Sequence, residues 1–164
     1  MKGKLEILVG PIASGKSTYC EQKAKDGAII VNDDAIVTAL HGGNYTLYSE
    51  DLKPLYKLAE NVVVHGALTM GKLVIIDRPN HRASMRRRYI GLAKSLDLPV
   101  TIVMFKRESP LVHAKRRFFS NHRNLSLQHW EKTCKIHETL YEPPDADREG
   151  FDEIVEVGDV RSMG

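Results

Sequence analysis

The residues from Gly10 to Ser17 have the composition and spacing of a phosphate-binding loop. They read Gly-Pro-Ile-Ala-Ser-Gly-Lys-Ser, which matches the pattern G-x-x-x-x-G-K-[ST], and Thr18 follows. Glycines at the two ends permit backbone conformations in which several N–H groups converge on phosphate oxygens. Lys16 is expected to reach the β- and γ-phosphates, and the Ser17 hydroxyl is expected to ligate Mg²⁺. We predict an ATP site composed of Gly10, Ala13, Ser14, Gly15, Lys16, Ser17 and Thr18.

Carboxylates follow two further apolar runs of the chain. Asp77 comes directly after residues 73–76, which is the setting of an acidic residue that holds Mg²⁺ directly or through water. Asp33 and Asp34 follow residues 28–31. Either carboxylate is placed to take the proton of an attacking hydroxyl, with Asp33 the first candidate, although capping of a helix is the alternative role of both. Bound ATP and a general base together indicate phosphoryl transfer to a hydroxyl acceptor.

A basic segment at residues 115–126, called the lid segment below, has the character of a mobile lid. It combines a helix end, a short polar loop and the start of another helix. A lid arginine follows the charge on the phosphoryl group during transfer, and we predict that Arg116 or Arg123 does so here. A solvated basic face is the alternative interpretation of these arginines.

Three arginines after the third apolar run are candidates for holding the acceptor. They are Arg78, Arg82 and Arg86. On a helix, Arg82 and Arg86 would share a face and contact the phosphates of a nucleic acid, whose affinity is largely phosphate neutralisation. Surface charge is the alternative.

Two tyrosines, Tyr45 and Tyr48, follow a pair of glycines in a predicted loop. Aromatic side chains of this kind stack on bases in sites for single strands, although core packing is the alternative. Together with Asp34, they complete the predicted substrate site.

These residues require a sheet that brings several strand ends together. Apolar runs alternate with helical patterns, which predicts an α/β fold with a parallel sheet and right-handed crossovers. We predict five strands, at residues 5–9, 28–31, 73–76, 100–105 and 154–157. We predict long helices at residues 16–25, 50–70, 82–96, 110–119 and 126–140. A shorter helix begins after a cap at Asn32 or Asp34 and ends at Leu40. One domain of residues 1–164 is expected, with fraying of the last residues.

Composition narrows the class of protein. The 164 residues are 42% hydrophobic and 27% charged, the net charge is +3, and no apolar run approaches membrane-spanning length. The first strand begins near the N-terminus and leaves no room for a signal peptide, and Cys20 and Cys134 match no paired motif. We expect a cytoplasmic protein without a membrane role, and the pattern leaves its oligomeric state open. A zinc site is not expected, because no second closely spaced pair completes four ligands among His113, His122, His129, Cys134 and His137.

The loop, the Asn32-Asp33-Asp34 sequence, Asp77 and the basic lid segment together resemble the small P-loop kinases that include polynucleotide 5′-hydroxyl kinases. The resemblance extends to residues 141–144 and 149–151. It implies a P-loop kinase-like three-layer sandwich, with helices on both faces of a five-stranded parallel sheet and a helical lid. In the polynucleotide kinases an aspartate after the second strand is the general base, which corresponds to Asp33. An arginine three residues later helps to hold the substrate phosphate, and Ile36 occupies that position here.

We therefore expect an ATP- and Mg²⁺-dependent kinase whose acceptor is the 5′-hydroxyl of a polynucleotide. A kinase for a nucleoside, a nucleotide, a modified base in DNA or another small hydroxyl compound is the first alternative. A nucleotide-dependent switch or motor ATPase is the second. A carboxylate placed as a base beside the loop favours a kinase over an ATPase.

Overall fold

The structure is a computed structural model that describes residues 2–158. Met1 and residues 159–164 belong to the predicted domain, and the predicted fraying of the last residues falls among them. They lie outside the described residues.

The described part of the chain contains a five-stranded sheet whose strand pairs are all parallel, in the order β2-β3-β1-β4-β5. Ile7 of β1 lies opposite Ile76 of β3 on one side and Ile102 of β4 on the other. The predicted α/β class and parallel sheet are confirmed. The strands are β1 (Lys4–Val9), β2 (Ile29–Val31), β3 (Leu73–Ile76), β4 (Val100–Phe105) and β5 (Glu153–Val157).

In the part of the chain that the structure describes, seven α-helices accompany the strands. The helix predicted at residues 50–70 is shorter, because its first residues form a 3₁₀ turn at Glu50–Leu52 and Pro54 lies in the first α-helical turn. Another 3₁₀ turn lies at Tyr45–Leu47. The helices are α1 (Lys16–Lys25), α2 (Asp33–Leu40), α3 (Lys53–Thr69), α4 (Ala83–Ser95), α5 (Pro110–Asn121), α6 (Leu127–Leu140) and α7 (Ala146–Glu149).

The two faces of the sheet bury different helices, because side chains alternate along each strand. Leu5, Ile7 and Val9 of β1 pack in a buried cluster with Val64 of α3 and Tyr89 of α4. On the opposite face, Leu8 packs in a second cluster with Cys20 of α1. These two clusters form the predicted three-layer arrangement. Within residues 2–158, no helix is long and apolar enough to cross a membrane.

Helices α5 and α6 pack against each other beside the carboxyl edge of the sheet. Ala114 of α5 and Trp130 and Cys134 of α6 form a third buried cluster, which contacts Ile12 of the loop after β1. The Trp130 indole N–H donates to the carbonyl of His122, at 3.1 Å, in the turn between the helices. The lid segment is therefore attached to α6 at its turn.

Candidate active site

A cavity of about 800 Å³ lies at the carboxyl ends of the central strands. The loop after β1, the residues after β2 and β3, and the α5–α6 pair form its walls. Many of the residues predicted for the site line it, whereas Gly10, Arg82, Arg86, Tyr45 and Tyr48 are outside its lining. The lining residues that were predicted are Ala13, Ser14, Gly15, Lys16, Ser17, Thr18, Asp33, Asp34, Asp77, Arg78, Arg116 and Arg123.

The loop after β1 has the tight curvature expected of a phosphate-binding loop. Gly15 has φ 104° immediately before α1, a left-handed conformation that favours glycine. At Gly10, an added Cβ would lie 2.7 Å from the Phe105 Cβ and 2.8 Å from the Ser14 Oγ. Gly10 is therefore required for close packing of the loop onto β4, although it does not line the cavity.

Lys16 points back along the loop. Its ammonium donates to the carbonyls of Gly10, at 2.7 Å, and Pro11, at 2.6 Å. Burial lowers the pKa of Lys16 to about 8, and the Asp77 carboxylate opposes that effect. A buried cation among neutral carbonyls is stabilised when an anion binds beside it.

Asn32 joins the ends of the two strands that carry the predicted carboxylates. Its side-chain oxygen accepts from the backbone N–H of Ala35, at 3.1 Å, and so caps α2. Its amide donates to Asp77, at 3.2 Å to the carbonyl and 3.3 Å to Oδ2. Because Asn32 is the cap, the capping alternative for Asp33 and Asp34 is wrong, and both carboxylates lie in the first helical turn.

The Ser17 hydroxyl and the Asp77 carboxylate line the same cavity beside the loop. Hydroxyl and carboxylate oxygens are the hard ligands that Mg²⁺ binds next to nucleotide phosphates. This donor set fits a Mg²⁺ ion that is held jointly by the protein and the nucleotide.

Asp33 forms an ion pair with Arg78, at 3.1 Å. Arg78 also donates to the hydroxyl of Tyr89, at 3.1 Å, and this hydroxyl donates to the buried carboxylate of Glu60, at 2.9 Å. Arg88 closes the network with an ion pair to Glu60, at 3.0 Å. The Asp33 carboxylate is thus oriented by a chain of contacts that begins in the core.

Asp34 lines the cavity and is exposed in the first turn of α2. Partial withdrawal from water raises the pKa of Asp34, the adjacent Asp33 carboxylate raises it further, and Arg123 and a hydrogen bond from Tyr45 oppose both effects. The Tyr45 ring is 46% exposed and stacks on Tyr48, with ring centroids 6.1 Å apart. Tyr45 therefore borders the acidic end of the cavity.

The Tyr48 ring lies between two other rings. It stacks on Tyr45 and also on Tyr56, with centroids 5.5 Å apart, and its hydroxyl donates to Glu50, at 2.9 Å. These contacts make Tyr48 a packing residue of this loop, which argues against the prediction that it stacks on a base.

The lid arginines differ in what they contact. Arg116 forms an ion pair with Glu108, which neutralises its charge locally. The Arg117 guanidinium lies 5.0 Å from the centre of the Trp130 ring, and its charge lowers the pKa of Lys16. Within residues 2–158, the buried Arg117 Nε has no hydrogen-bond partner. Arg117 was not among the predicted site residues. Both arginines line the cavity, and nothing in an adjacent Arg-Arg pair tells which one forms an ion pair with a carboxylate.

Arg86 is a structural residue, and the prediction that it contacts substrate phosphates is wrong. Its side chain is fully buried. It binds both carboxylate oxygens of Glu149, at 2.6 and 3.0 Å, and it donates to the carbonyls of Asn80 and Glu142. Arg82 is exposed and precedes the first residue of α4, so the two arginines do not share an exposed helix face.

Six further residues of the cavity lining were missed by the sequence analysis. They are Ile12, Pro79, Phe119, Ser120, Trp130 and His137. Their apolar or neutral side chains give no signal of a site, because the same residue types occur at helical spacing in any core. The His137 ring stacks on the ring of His81, and the ring centroids are 4.8 Å apart.

Comparison with known proteins decides the family. A family model described as an AAA domain matches residues 5–118, which is more than half of the chain. The chain belongs to this AAA domain family. The matched region of the AAA domain contains the phosphate-binding loop, both carboxylate-bearing strand ends and most of α5. No curated protein sequence matches the chain.

Solved structures similar to this AAA domain include three P-loop proteins. A fungal RNA kinase has 16% identity and a TM-score of 0.66, covering 96% of this chain and 76% of that one. The structure of the Pnkp1/Rnl/Hen1 RNA repair complex contains a chain with 21% identity and a TM-score of 0.66; the match covers 92% of this chain and 47% of that one. The APS kinase CysC of Mycobacterium tuberculosis, in complex with AMPPNP and APS, has 16% identity and a TM-score of 0.62, with 99% and 93% covered. These similarities confirm the P-loop kinase-like fold of the AAA domain.

Proposed function

We propose that this AAA domain is an ATP-dependent kinase that transfers the γ-phosphate to a hydroxyl group, most favourably the 5′-hydroxyl of a polynucleotide. One observation carries the proposal: a single cavity is lined both by the phosphate-binding loop, which follows β1, and by the carboxylates Asp33 and Asp34, which follow β2 on the far side of β3. A kinase needs a phosphate donor site, a base and room for an acceptor beside that base, whereas a switch or motor ATPase activates only water and needs no room for a second substrate.

The donor end binds ATP. Lys16 exchanges its contacts with loop carbonyls for the β- and γ-phosphates, and this exchange supplies the anion that its buried charge lacks. Ser17 and Asp77 would hold Mg²⁺, which would supply positive charge beside the phosphates. The N-terminus of α1, which is the positive end of the helix dipole, is directed at the same position.

The acceptor end supplies the base. Asp33 takes the proton of the attacking hydroxyl, and Arg78 holds its carboxylate in place. Arg117 is the lid cation that follows the transferred charge, since it lines the same cavity as Lys16 while Arg116 is neutralised by Glu108. Arg123 lines the same cavity as Asp34, and its charge lowers the pKa of that carboxyl.

Arg78 is also the residue that we assign to binding a phosphate of the polynucleotide. The resemblance implies an arginine at position 36, but Ile36 packs against the core instead. Arg78, from the neighbouring strand end, brings a guanidinium to the same acceptor end of the cavity. We infer that the substrate phosphate is bound by Arg78, which follows Asp77, and not by a residue of α2, the helix after β2.

A kinase of a small hydroxyl acceptor is the second candidate. The cavity volume of about 800 Å³ is in the range that encloses small molecules, and two adjacent carboxylates repel phosphate groups. Both candidate reactions consume ATP, which is abundant in the cytoplasm. We therefore include a cytoplasmic location in the proposal.

The test is incubation with labelled ATP and a panel of acceptors: 5′-hydroxyl DNA and RNA oligonucleotides, nucleosides, nucleotides and DNA with a hydroxymethylated base. We expect slow ATP turnover without acceptor and rapid label transfer to a 5′-hydroxyl oligonucleotide. The Lys16→Ala variant should stay folded and transfer no label. Preferred labelling of a nucleoside or nucleotide would establish the second candidate, and hydrolysis that ignores every acceptor would overturn both.

A further inference from the structure

The turn between α5 and α6, residues 122–125, holds Arg123 in an unfavourable backbone conformation. Arg123 has φ 51° and Asn124 has φ 60°. Within residues 2–158, no other two adjacent non-glycine residues both have a positive φ. Asparagine tolerates the left-handed region, whereas a residue with a long side chain enters it at a cost in free energy. Such a conformation persists only where surrounding contacts enforce it, and it is frequent at functional sites.

Three hydrogen bonds to His122 enforce the conformation of this turn. The Asn124 backbone N–H donates to the ring Nδ1 of His122, at 3.0 Å. The Leu125 backbone N–H donates to the His122 carbonyl, at 2.9 Å, and the Trp130 indole N–H donates to the same carbonyl, at 3.1 Å. Trp130 belongs to the buried cluster of the α5–α6 pair, so these bonds attach the turn to the packed interior of that pair.

The His122 ring is itself held by packing. Its centroid lies 5.5 Å from that of the Phe118 ring, and Phe118 packs against the same buried cluster. A side chain that bonds the backbone two residues later stabilises a turn by replacing a hydrogen bond of regular secondary structure. His122 thus contributes both a ring nitrogen and a carbonyl to one turn, and its ring is oriented by a residue of α5.

Arg123 is the residue that this turn brings to the cavity. It lines the cavity together with Arg117 and Lys16, whereas His122 is outside the cavity lining. The charge of a transferred phosphoryl group is spread over its oxygens, and cations around the group stabilise that charge only when they are correctly placed. Because the backbone conformation of a residue sets the direction of its Cα–Cβ bond, the turn determines where the Arg123 side chain can reach.

We propose that His122 is a positioning residue, which fixes Arg123 in the cavity for phosphoryl transfer. This inference rests on the proposed kinase function and specifies how a cation of the lid segment is held beside the transferred group. His122 acts through Arg123, because its own ring nitrogen is engaged by the backbone N–H of Asn124.

The experiment replaces His122 in two ways and measures label transfer from ATP to the preferred acceptor of the panel. His122→Phe keeps a ring against Phe118 and removes the acceptor for the Asn124 N–H, whereas His122→Asn returns an acceptor oxygen in place of Nδ1. His129→Phe is the matched control. His129 is also exposed, its ring centroid lies 5.5 Å from that of Trp130, and its side chain takes no part in the three bonds of the turn.

We expect His122→Phe to lower kcat by about tenfold or more and to leave the KM for ATP within about twofold, because Arg123 is displaced while the loop after β1 is intact. His122→Asn should retain at least about half of the wild-type kcat, since the acceptor is restored. His129→Phe should match the wild type. A wild-type kcat in His122→Phe, or equal losses in His122→Phe and His122→Asn, would overturn the positioning role.

A double-mutant cycle distinguishes positioning of Arg123 from a general effect on the fold. Arg123→Ala should lower kcat by about tenfold or more. Addition of His122→Phe to this variant should lower kcat by less than about twofold further, since the group that His122 positions is already absent. Losses that multiply in the double variant would show that His122 acts independently of Arg123, and they would overturn the inference.

The indole of Trp130 gives a readout that does not depend on activity. The chain contains one tryptophan, so its indole N–H gives a single signal in a nitrogen–proton correlation spectrum. Exchange of this proton with solvent should be at least about threefold faster in His122→Phe than in the wild type, because the turn that supplies its acceptor is loosened. Exchange in His122→Asn and His129→Phe should match the wild type. Unchanged exchange in His122→Phe would show that the ring does not hold the turn, which would overturn the inference.

The positioning role and the kinase function fail with different results. Rapid label transfer by the wild type with an unaffected kcat in His122→Phe would keep the kinase function and remove the positioning role. A wild-type protein that labels no acceptor would remove the kinase function, and the role of His122 in phosphoryl transfer would fall with it, whatever the exchange of the indole proton.

Discussion

Arg78 and Asp33 form an ion pair, with 3.1 Å between the guanidinium and the carboxylate, that ties the residue after β3 to the first turn of α2. The arginine is itself held by Tyr89, whose hydroxyl donates to the buried Glu60 carboxylate. One aspartate of the pair is therefore positioned from the core. The other, Asp34, is positioned from the loop that carries Tyr45.

This difference predicts unequal roles for the two carboxylates. Asp33→Asn should lower kcat for acceptor phosphorylation by at least 100-fold, because the amide cannot take the hydroxyl proton, while ATP affinity stays within about twofold. Asp34→Asn should retain more than about a tenth of the activity. Steady-state kinetics and ATP binding by calorimetry check both variants. An inactive Asp34→Asn protein beside an active Asp33→Asn protein would reverse the assignment.

Replacement of Arg117 and replacement of Arg116 should have different effects on kcat. Arg117→Ala should lower kcat by about 100-fold or more, since removal of a transition-state cation has effects of this size. Arg116→Ala should lower it less than about tenfold, because Glu108 already neutralises that charge. The two melting temperatures, measured by calorimetry, serve as the control for folding. Equal losses in both variants would show that neither arginine acts alone on the phosphoryl group.

Arg78 and Arg82 should respond differently to salt. If Arg78 contacts a substrate phosphate, the logarithm of KM for an oligonucleotide rises with the logarithm of salt concentration, and Arg78→Gln reduces that slope by about one. Arg82→Gln should leave the slope unchanged, because Arg82 is exposed and outside the cavity lining. The slopes come from KM measured between low and moderate salt. A reduced slope in Arg82→Gln alone would restore the phosphate-binding role predicted for Arg82.

Stability should fall in mild acid because of His81. Burial lowers the pKa of His81 to about 4 from 6.5, with further lowering by His137, Arg107, Arg82 and Arg86. The unfolded chain then binds more protons than the folded one between pH 6.5 and 4, so the free energy of unfolding decreases as pH falls through this window. The loss from His81 alone is about 2 kcal/mol between pH 7 and pH 5.

Replacement of His81 tests the predicted decrease in stability at lower pH. His81→Phe keeps a ring against His137 and removes the titrating group, so its melting temperature should drop less between pH 7 and pH 5 than that of the wild type. The exposed His65 of α3 provides the control, as His65→Gln should retain the wild-type pH dependence. A His81→Phe protein as acid-sensitive as the wild type would assign the effect to other groups.

The strands and the donor end of the cavity were predictable from local patterns. The strands β3 and β4 begin and end where predicted, because an apolar run bounded by polar residues determines a buried strand. The loop motif and the rule that parallel strand ends meet at one edge also predicted that Lys16, Asp33 and Asp77 would line one cavity. These features depend on residues that are close in sequence.

The acceptor end depends on partners that are distant in sequence, and there the predictions were incomplete. Arg86 looks like any surface arginine until Glu149, 63 residues later, is found beside it. Arg116 and Arg117 are neighbours, and only the pairing with Glu108 and the packing on Trp130 distinguish them. Helical periodicity predicts which residues share a face of a helix, but it does not predict which residues contact that face.

The buried pair of Arg86 and Glu149 also constrains how the chain can fold during its synthesis. The ribosome releases β1 to β4 and α4 before it releases Glu149, Phe151 and β5. Until Glu149 is available, burial of Arg86 would leave an uncompensated charge in the interior, at a cost of several kcal/mol. The core cluster would also lack Phe151. A nascent chain of this protein therefore cannot close the buried face of α4 until Glu149 and Phe151 have been synthesised.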